Sequence, residues 1–142
     1  MGGLLLTWLI IGISTTLPSM SIASDLSVEV LGIRSNDGFV HFGLYKNSGT
    51  FPTKEGRLDG SREVISKNRS VFVFKGLKPG HYALAVYHDE NANGKFDQII
   101  FGFPVEDYGF SNGAVAFLGP PDFDDAAVIL PTEGLRITIR LD

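Results

Sequence analysis

The strongest constraint on this chain is a two-residue rhythm. Leu26, Val28 and Val30 alternate with Ser27 and Glu29. Val40, Phe42 and Leu44 do the same within residues 39–45, and Tyr82, Leu84 and Val86 oppose Ala83, Ala85 and Tyr87 within residues 81–88. Leu135, Ile137, Ile139 and Leu141 alternate with Arg136, Thr138 and Arg140. A period of two puts successive side chains on opposite faces of an extended chain, so each run is a strand with one face to bury. Residues 70–74, 98–103 and 126–130 are further short runs of β-branched or aromatic character, which makes about seven strands. No helical period occurs after residue 24. Asn36-Asp37-Gly38 predicts a tight turn that joins the first two strands as a hairpin. Leu77-Lys78-Pro79-Gly80 predicts a second reversal, because Pro presets φ and Gly permits the return. Residues 46–62 and 104–125 read as loops. Strands this short must bury a face against another sheet, so the expected fold is all-β, a two-sheet antiparallel sandwich, with a closed barrel as the competing solution.

Before residue 24 the pattern is different. Residues 1–23 contain no charged side chain, and residues 4–13 form an apolar run broken only by Thr7 and Gly12. Pro18 ends any helix there, and Ser21 and Ala23 put small residues at the −3 and −1 positions of a cleavage site. The run is about 10 residues, whereas a spanning helix needs about 20. Residues 1–23 therefore read as a secretory signal peptide removed after Ala23, with Ser24 as the neighbouring alternative. The expected product is a single domain over residues 25–142, exported to the periplasm or the extracellular space, without stable membrane insertion after cleavage. The chain has no Cys, which excludes disulfides, thiolate zinc sites, thiol catalysis and a lipid-modified Cys. Lys plus Arg number 12 against 16 Asp plus Glu, a net charge of −4 that argues against nucleic acid as a partner.

The segment richest in chemistry is His88-Asp89-Glu90-Asn91-Ala92-Asn93-Gly94-Lys95-Phe96-Asp97. Oxygen-bearing side chains fall at Asp89, Asn91, Asn93 and Asp97, which are positions 1, 3, 5 and 9 of a calcium loop, with Gly94 at position 6. Alternate residues of a tight loop aim their oxygens inward, and Lys95 offers its backbone carbonyl. Position 12 is Ile100 instead of a bidentate Glu, and the missing carboxylate would have to come from Glu90, Glu106 or Asp107. With few ligand charges, binding is expected in the weak range of extracellular modules. The same composition also builds Asx-turns, in which Asp and Asn satisfy nearby backbone N–H groups and the loop is only a rigid strand connection. Both readings stand at this level, so Ca²⁺ is the one cofactor to consider.

Phe101, Phe103, Tyr108, Phe110, Phe117 and Phe123 crowd one long connection. They either fold back to cap the sandwich or form an aromatic lip that binds a glycan, a lipid or a protein. Phe101, Phe103, Tyr108, Phe110, Ser111 and Asn112 are the candidate contact surface. Ser111 has the literal Gly-x-Ser-x-Gly spacing, but the buried strand before it and the helix after it that a nucleophile elbow needs are missing from the pattern. His88 next to Asp89 is the only candidate general base with an orienting carboxylate. His81 and His88 lie on opposite faces of one strand, so they do not form a two-His metal site.

Several of these segments together resemble a known group. Residues 77–82, the 88–97 loop, Phe101-Gly102-Phe103-Pro104, Tyr108-Gly109-Phe110-Ser111-Asn112 and the Pro120-Pro121-x-Phe123-x-Asp125-Ala126 string, in this order, resemble a family of small exported bacterial proteins known only as a domain of unknown function. The resemblance runs over about residues 25–142. The strand, Pro-Gly turn and Tyr-bearing strand also resemble prealbumin-like sandwiches, such as the regulatory domains beside carboxypeptidases. That resemblance implies a Greek-key sandwich of immunoglobulin or prealbumin type, and no activity. The expectation is therefore an exported, non-enzymatic β-sandwich module, with the 89–97 loop ion-stabilised or rigid and the aromatic connection contacting a cell-envelope protein or glycan. The alternative is a small hydrolase-like or isomerase-like enzyme using His88 and Asp89.

Overall fold

A computed structural model describes Met20 and residues 22–142; the signal-peptide reading of residues 1–23 lies almost wholly outside the described residues. The strands are β1 (Ser24–Leu31), β2 (Phe39–Tyr45), β3 (Asp59–Glu63), β4 (Ser70–Leu77), β5 (Gly80–Asp89), β6 (Tyr108–Phe110), β7 (Val128–Leu130) and β8 (Leu135–Arg140), with one short helix, α1 (Phe123–Ala126), before β7. They form an all-β sandwich. One sheet runs β4-β1-β8 and the other β3-β2-β5-β6, with β7 paired to the start of β5.

The two-residue rhythm decides which faces meet. Leu26, Val28 and Val30 of β1 are fully buried, as are Val40, Phe42 and Leu44 of β2 and Leu84 of β5. They interdigitate with Phe74, Tyr82, Val86, Leu130 and Ile139 between the sheets. Burying such side chains is worth about 1.5–3 kcal/mol each, which is the main force holding the layers together. At one edge the layers also bond directly. Asp142 donates its N–H to the Tyr108 carbonyl at 3.1 Å. Gly109 permits this approach, since a Cβ there would lie 2.8 Å from both the Arg140 carbonyl oxygen and the Ile139 side chain.

Several expectations need correction. β1 and β2 are not a hairpin: they belong to different sheets, and the Asn36-Asp37-Gly38 turn carries the chain across the sandwich. The antiparallel pattern is broken by one pair, β1 with β8, which is parallel from Leu26–Leu135 to Leu31–Arg140. Residues 98–103 are not a strand. The chain reverses there, with Gly102 N–H donating to the Ile99 carbonyl at 2.8 Å, and only Gln98 and Pro104 form an isolated bridge. Pro104 has no N–H to give a ladder, and Gly102 takes φ +79°. The strand beside β5 is β6 instead, inside the segment read as a loop. β3 also lies in a segment read as a loop, because its Asp-Gly-Ser-Arg-Glu sequence is that of a polar edge strand with no apolar face.

Phe42 is fully buried whereas Phe101 is 83% exposed. Phe42→Ala is expected to cost about 3–5 kcal/mol, and Phe101→Ala less than about 0.5 kcal/mol. Urea denaturation of the two variants measures the contrast, and equal losses would contradict this burial pattern.

Candidate functional site

The outer face of the β3-β2-β5-β6 sheet is not the polar face that alternation alone suggests. His41, Gly43 and Tyr45 of β2 alternate with the core residues, and so do Ala83, Ala85, Tyr87 and Asp89 of β5. The register sets His41 opposite Tyr87 and Gly43 opposite Ala85. The His41 and Tyr87 rings stack with centroids 4.6 Å apart and planes 4° apart. From there the aromatics continue around an arc: Tyr87 to Phe96 at 5.3 Å, Phe96 to Tyr108 at 5.8 Å and Tyr108 to Phe110 at 5.8 Å. Phe51 meets Phe110 at 5.9 Å and Tyr45 at 5.1 Å, which closes the other side.

The arc encloses a cleft of about 540 Å³ over Gly43 and Ala85, a volume typical of small-molecule sites. Gly43 and Gly60 make room for Arg57, whose Cδ would lie 3.1 Å from a Cβ at either position. Lys54, Arg57 and Lys95 also line the cleft, no carboxylate does, and none of the three forms an ion pair among the described residues.

Behind this wall stands Asp89, fully buried at the end of β5. Its Oδ2 accepts from Gly94 N–H and lies 2.9 Å from His41 Nε2, and its Oδ1 accepts from Asn93 N–H at 3.0 Å. Burial alone would raise the Asp89 pKa, but the Gly94 N–H, His41 and the Asn93 N–H outweigh it and hold the carboxyl below its ordinary value. Burial pushes the His41 pKa down, and its bond to Asp89 only partly opposes that. The ring is therefore neutral near pH 7, and Nε2 carries the proton that goes to Asp89. Burial, with Asp89 and Glu106 nearby, pushes the Tyr87 phenol up to about 12.

The 89–97 loop is closed on itself. The Asn91 and Asn93 amides donate to the Asp97 carboxylate at 2.8–3.0 Å. Asn93 Oδ1 accepts from Lys95 N–H at 2.9 Å, and Ala92 and Gly94 take φ of +56° and +74°. These are the turn contacts of the rigid-connection reading. Among the described residues no group of three or more His, Asp or Glu side chains stands ready to hold a metal ion.

The expected contact surface separates into three parts. Phe101 and Phe103 are exposed on the turn that replaces the expected strand. Tyr108 and Phe110 line the cleft. Ser111 is not on the surface at all: its fully buried hydroxyl accepts from Leu84 N–H at 2.8 Å and donates to the Ala126 carbonyl, fastening α1 to β5. Asn112 is exposed, with its amide donating to the Asp125 carbonyl at 2.9 Å. Phe117 is 85% exposed, and Phe123 is buried against Phe51. His88 and Asp89 point to opposite faces of β5. His88 Nε2 lies 2.7 Å from the Asp37 carbonyl on the core side, so the His88–Asp89 pair is not assembled.

Sequence reasoning missed His41, Tyr45, Lys54, Arg57, Tyr87 and Phe96 as cleft residues, whereas Glu106 stood among the candidates for the loop's missing carboxylate. The β2 and β5 members were accessible in principle, since the odd-numbered positions that should face solvent carry Phe39, His41 and Tyr45 on β2 and two alanines and Tyr87 on β5. The loop members were not, because residues 51–57 reach the cleft only through tertiary packing.

Fold and site together define a class: an all-β, two-sheet sandwich with a cation-rimmed aromatic cleft on the outer face of one sheet. The chain belongs to the family described as an uncharacterized protein conserved in bacteria (DUF2141), whose model matches residues 28–138. Comparison with curated proteins finds no match, and comparison with solved structures finds none.

The lowered His41 pKa has a consequence with a definite sign. The unfolded chain takes up that proton first, so the stability held by neutral His41 is full above the ordinary value of 6.5 and falls as pH drops below it. The melting temperature is expected to fall between pH 7.5 and 5.5 (roughly one unit to either side of the histidine value) and to fall less in His41→Gln. Calorimetric melts across that range measure it; identical profiles would remove the assignment.

Proposed function

We propose that this protein is an exported, non-enzymatic binding module whose outer cleft takes an acidic glycan of the cell envelope. The observation that carries the reading is the cleft lining: aromatic rings and the cations Lys54, Arg57 and Lys95, which form no ion pair among the described residues, in a chain whose net charge is −4. Sugar rings present apolar C–H faces that pack on aromatic rings, and carboxylate substituents pair with Arg and Lys. An envelope protein is the second partner considered. Ile100, Phe101, Phe103, Phe117 and Leu118 favour it, since each is more than 60% exposed and outside the cleft.

Export rests on the apolar leader and its small-residue cleavage site. Cleavage after Ala23 fits better than cleavage after Ser24. Ser24 begins β1 at 3% exposure, and its hydroxyl donates to the Thr132 carbonyl at 2.8 Å. Among the described residues no helix is long and apolar enough to cross a membrane. In the same reading the sandwich is of prealbumin type, supported by the corner at residues 77–82, where Tyr82 Oη donates to the Lys78 carbonyl at 2.7 Å.

Calorimetric titration with uronic-acid oligosaccharides, against neutral gluco-oligosaccharides, tests the cleft. Binding of the acidic series alone is expected, with Arg57→Ala and Tyr87→Ala each weakening it by about tenfold, roughly 1.4 kcal/mol. His88→Ala should leave the affinity unchanged in refolded protein. No binding of the acidic series, or binding insensitive to Arg57→Ala, rejects the reading. The mass of the chain recovered from the envelope fraction tests export independently, with Ser24 expected as its first residue.

A further inference from the structure

The loop after β5 faces one more carboxylate than its own sequence supplies. Glu106 is 6% exposed, and its Oε2 accepts the backbone N–H of Asp97 at 3.0 Å. That bond seats the carboxylate against the closing residue of the 89–97 loop. Its second oxygen, Oε1, is buried and has no partner of good hydrogen-bond geometry, the Glu90 backbone N–H being the one nearby donor besides that of Asp97. Leaving a buried acceptor unmet is unfavourable, and more so for a charged one. No Lys, Arg or His side chain is bonded to Glu106 or Asp97 among the described residues.

The two other acids that could complete the loop are engaged elsewhere. Glu90 accepts from Arg34 at 2.7 and 3.0 Å and from Ser35 at 2.8 Å. Asp107 accepts from Arg34 at 3.4 Å. Ile100, at the position where a calcium loop carries its closing Glu, is 95% exposed on the far side of a turn.

We propose that residues 89–97 form a calcium site completed from outside the loop by Glu106. Asp89, Asn91, Asn93 and Asp97 supply side-chain oxygens, Lys95 supplies its carbonyl, and Glu106 takes the part that Ile100 cannot play. This set is all oxygen and includes three carboxylates, the chemistry of a hard cation with six to eight ligands; the three stand too far apart to form a ready-made group, so cation uptake has to draw them together. The amides of Asn91 and Asn93 now turn N–H toward Asp97. Their oxygens accept the backbone N–H groups of Asn93 and Lys95 at 3.1 and 2.9 Å, so presenting an oxygen to a cation exchanges these turn bonds and the amide donors to Asp97 for metal ligation. The unmet Glu106 oxygen gains its partner in the same step.

The test is calorimetric titration of Ca²⁺ into chelator-stripped protein, to about 10 mM so as to reach a weak extracellular-type site, with melts in Ca²⁺ and in chelator. One Ca²⁺ is expected to bind and raise the melting temperature. Glu106→Gln, which keeps the shape and removes the charge, should weaken binding tenfold or more. Glu106→Asp, which keeps the charge but withdraws it by one methylene, should also weaken binding and serves if the Gln variant does not fold. Glu90→Gln and Asp107→Asn should stay within threefold of the parent. Absence of both heat and a melting shift in the parent overturns the proposal. So does parent-like affinity in both Glu106 variants, or a loss in Glu90→Gln or Asp107→Asn as large as that in Glu106→Gln.

Discussion

Asp89 is the point on which the local architecture turns. A carboxylate with no exposed surface is tolerable only if donors replace its lost water. Those donors come from separate parts of the chain: the His41 ring from β2 and the backbone N–H groups of Asn93 and Gly94 from the following loop. Each donor is thereby fixed in place. His41 is set flat against Tyr87, and Gly94 is set where the chain turns back over the sheet. Gly38 belongs to the same arrangement, since a Cβ there would lie 1.9 Å from the Asp89 carbonyl oxygen, so the crossing turn can press on the end of β5 only as glycine. One buried charge thus couples the crossing turn, the β2–β5 register and the loop.

The cleft follows from that coupling and from an apolar outer sheet face. Alanine and aromatic side chains on the solvent side of β2 and β5 need cover. Phe51, Phe123 and Ala126 provide it at one end, packing on Tyr45 and Ala83 as a second small core. At the other end the cover is Phe96, held over Tyr87 by the turn that Asp89 organises. Between the two covers the face stays open, and Arg57 lies along the glycines of β2 and β3. The cleft is therefore the unfilled middle of a half-covered sheet, with walls fixed by two different loops.

The sandwich was legible because its strands obey the two-residue rhythm, and β1, β2, β5 and β8 stand where that rhythm puts them. The rhythm says nothing about which sheet a strand joins, so Asn36-Asp37-Gly38 looked like a hairpin turn although it is a crossover. β3 and β6 were illegible for opposite reasons. β3 has no apolar face, and β6 is three residues around a glycine chosen for close approach to β8. Residues 98–103 show the reverse failure: Ile99, Ile100, Phe101 and Phe103 have strand character, yet all are at least 50% exposed. The loop chemistry was visible in Asp89, Asn91, Asn93 and Asp97. The cleft was not, because its residues come from five segments and only two of them, β2 and β5, are strands with a readable face.

The electrostatics of the cleft are simpler than its composition suggests. Three of its lining groups have shifted pKa values, and each shift moves away from a change of charge near neutrality. Tyr87 is pushed up to about 12 and Tyr45 is raised, both by burial, so neither phenol adds a negative charge. His41 is lowered by burial, so its ring adds no positive one. The field in the cleft is thus set by Lys54, Arg57 and Lys95. Affinity for an anion in the cleft therefore falls as ionic strength rises. Asp89 does not line the cleft and accepts its donors behind the wall, so it adds no carboxylate to the opening.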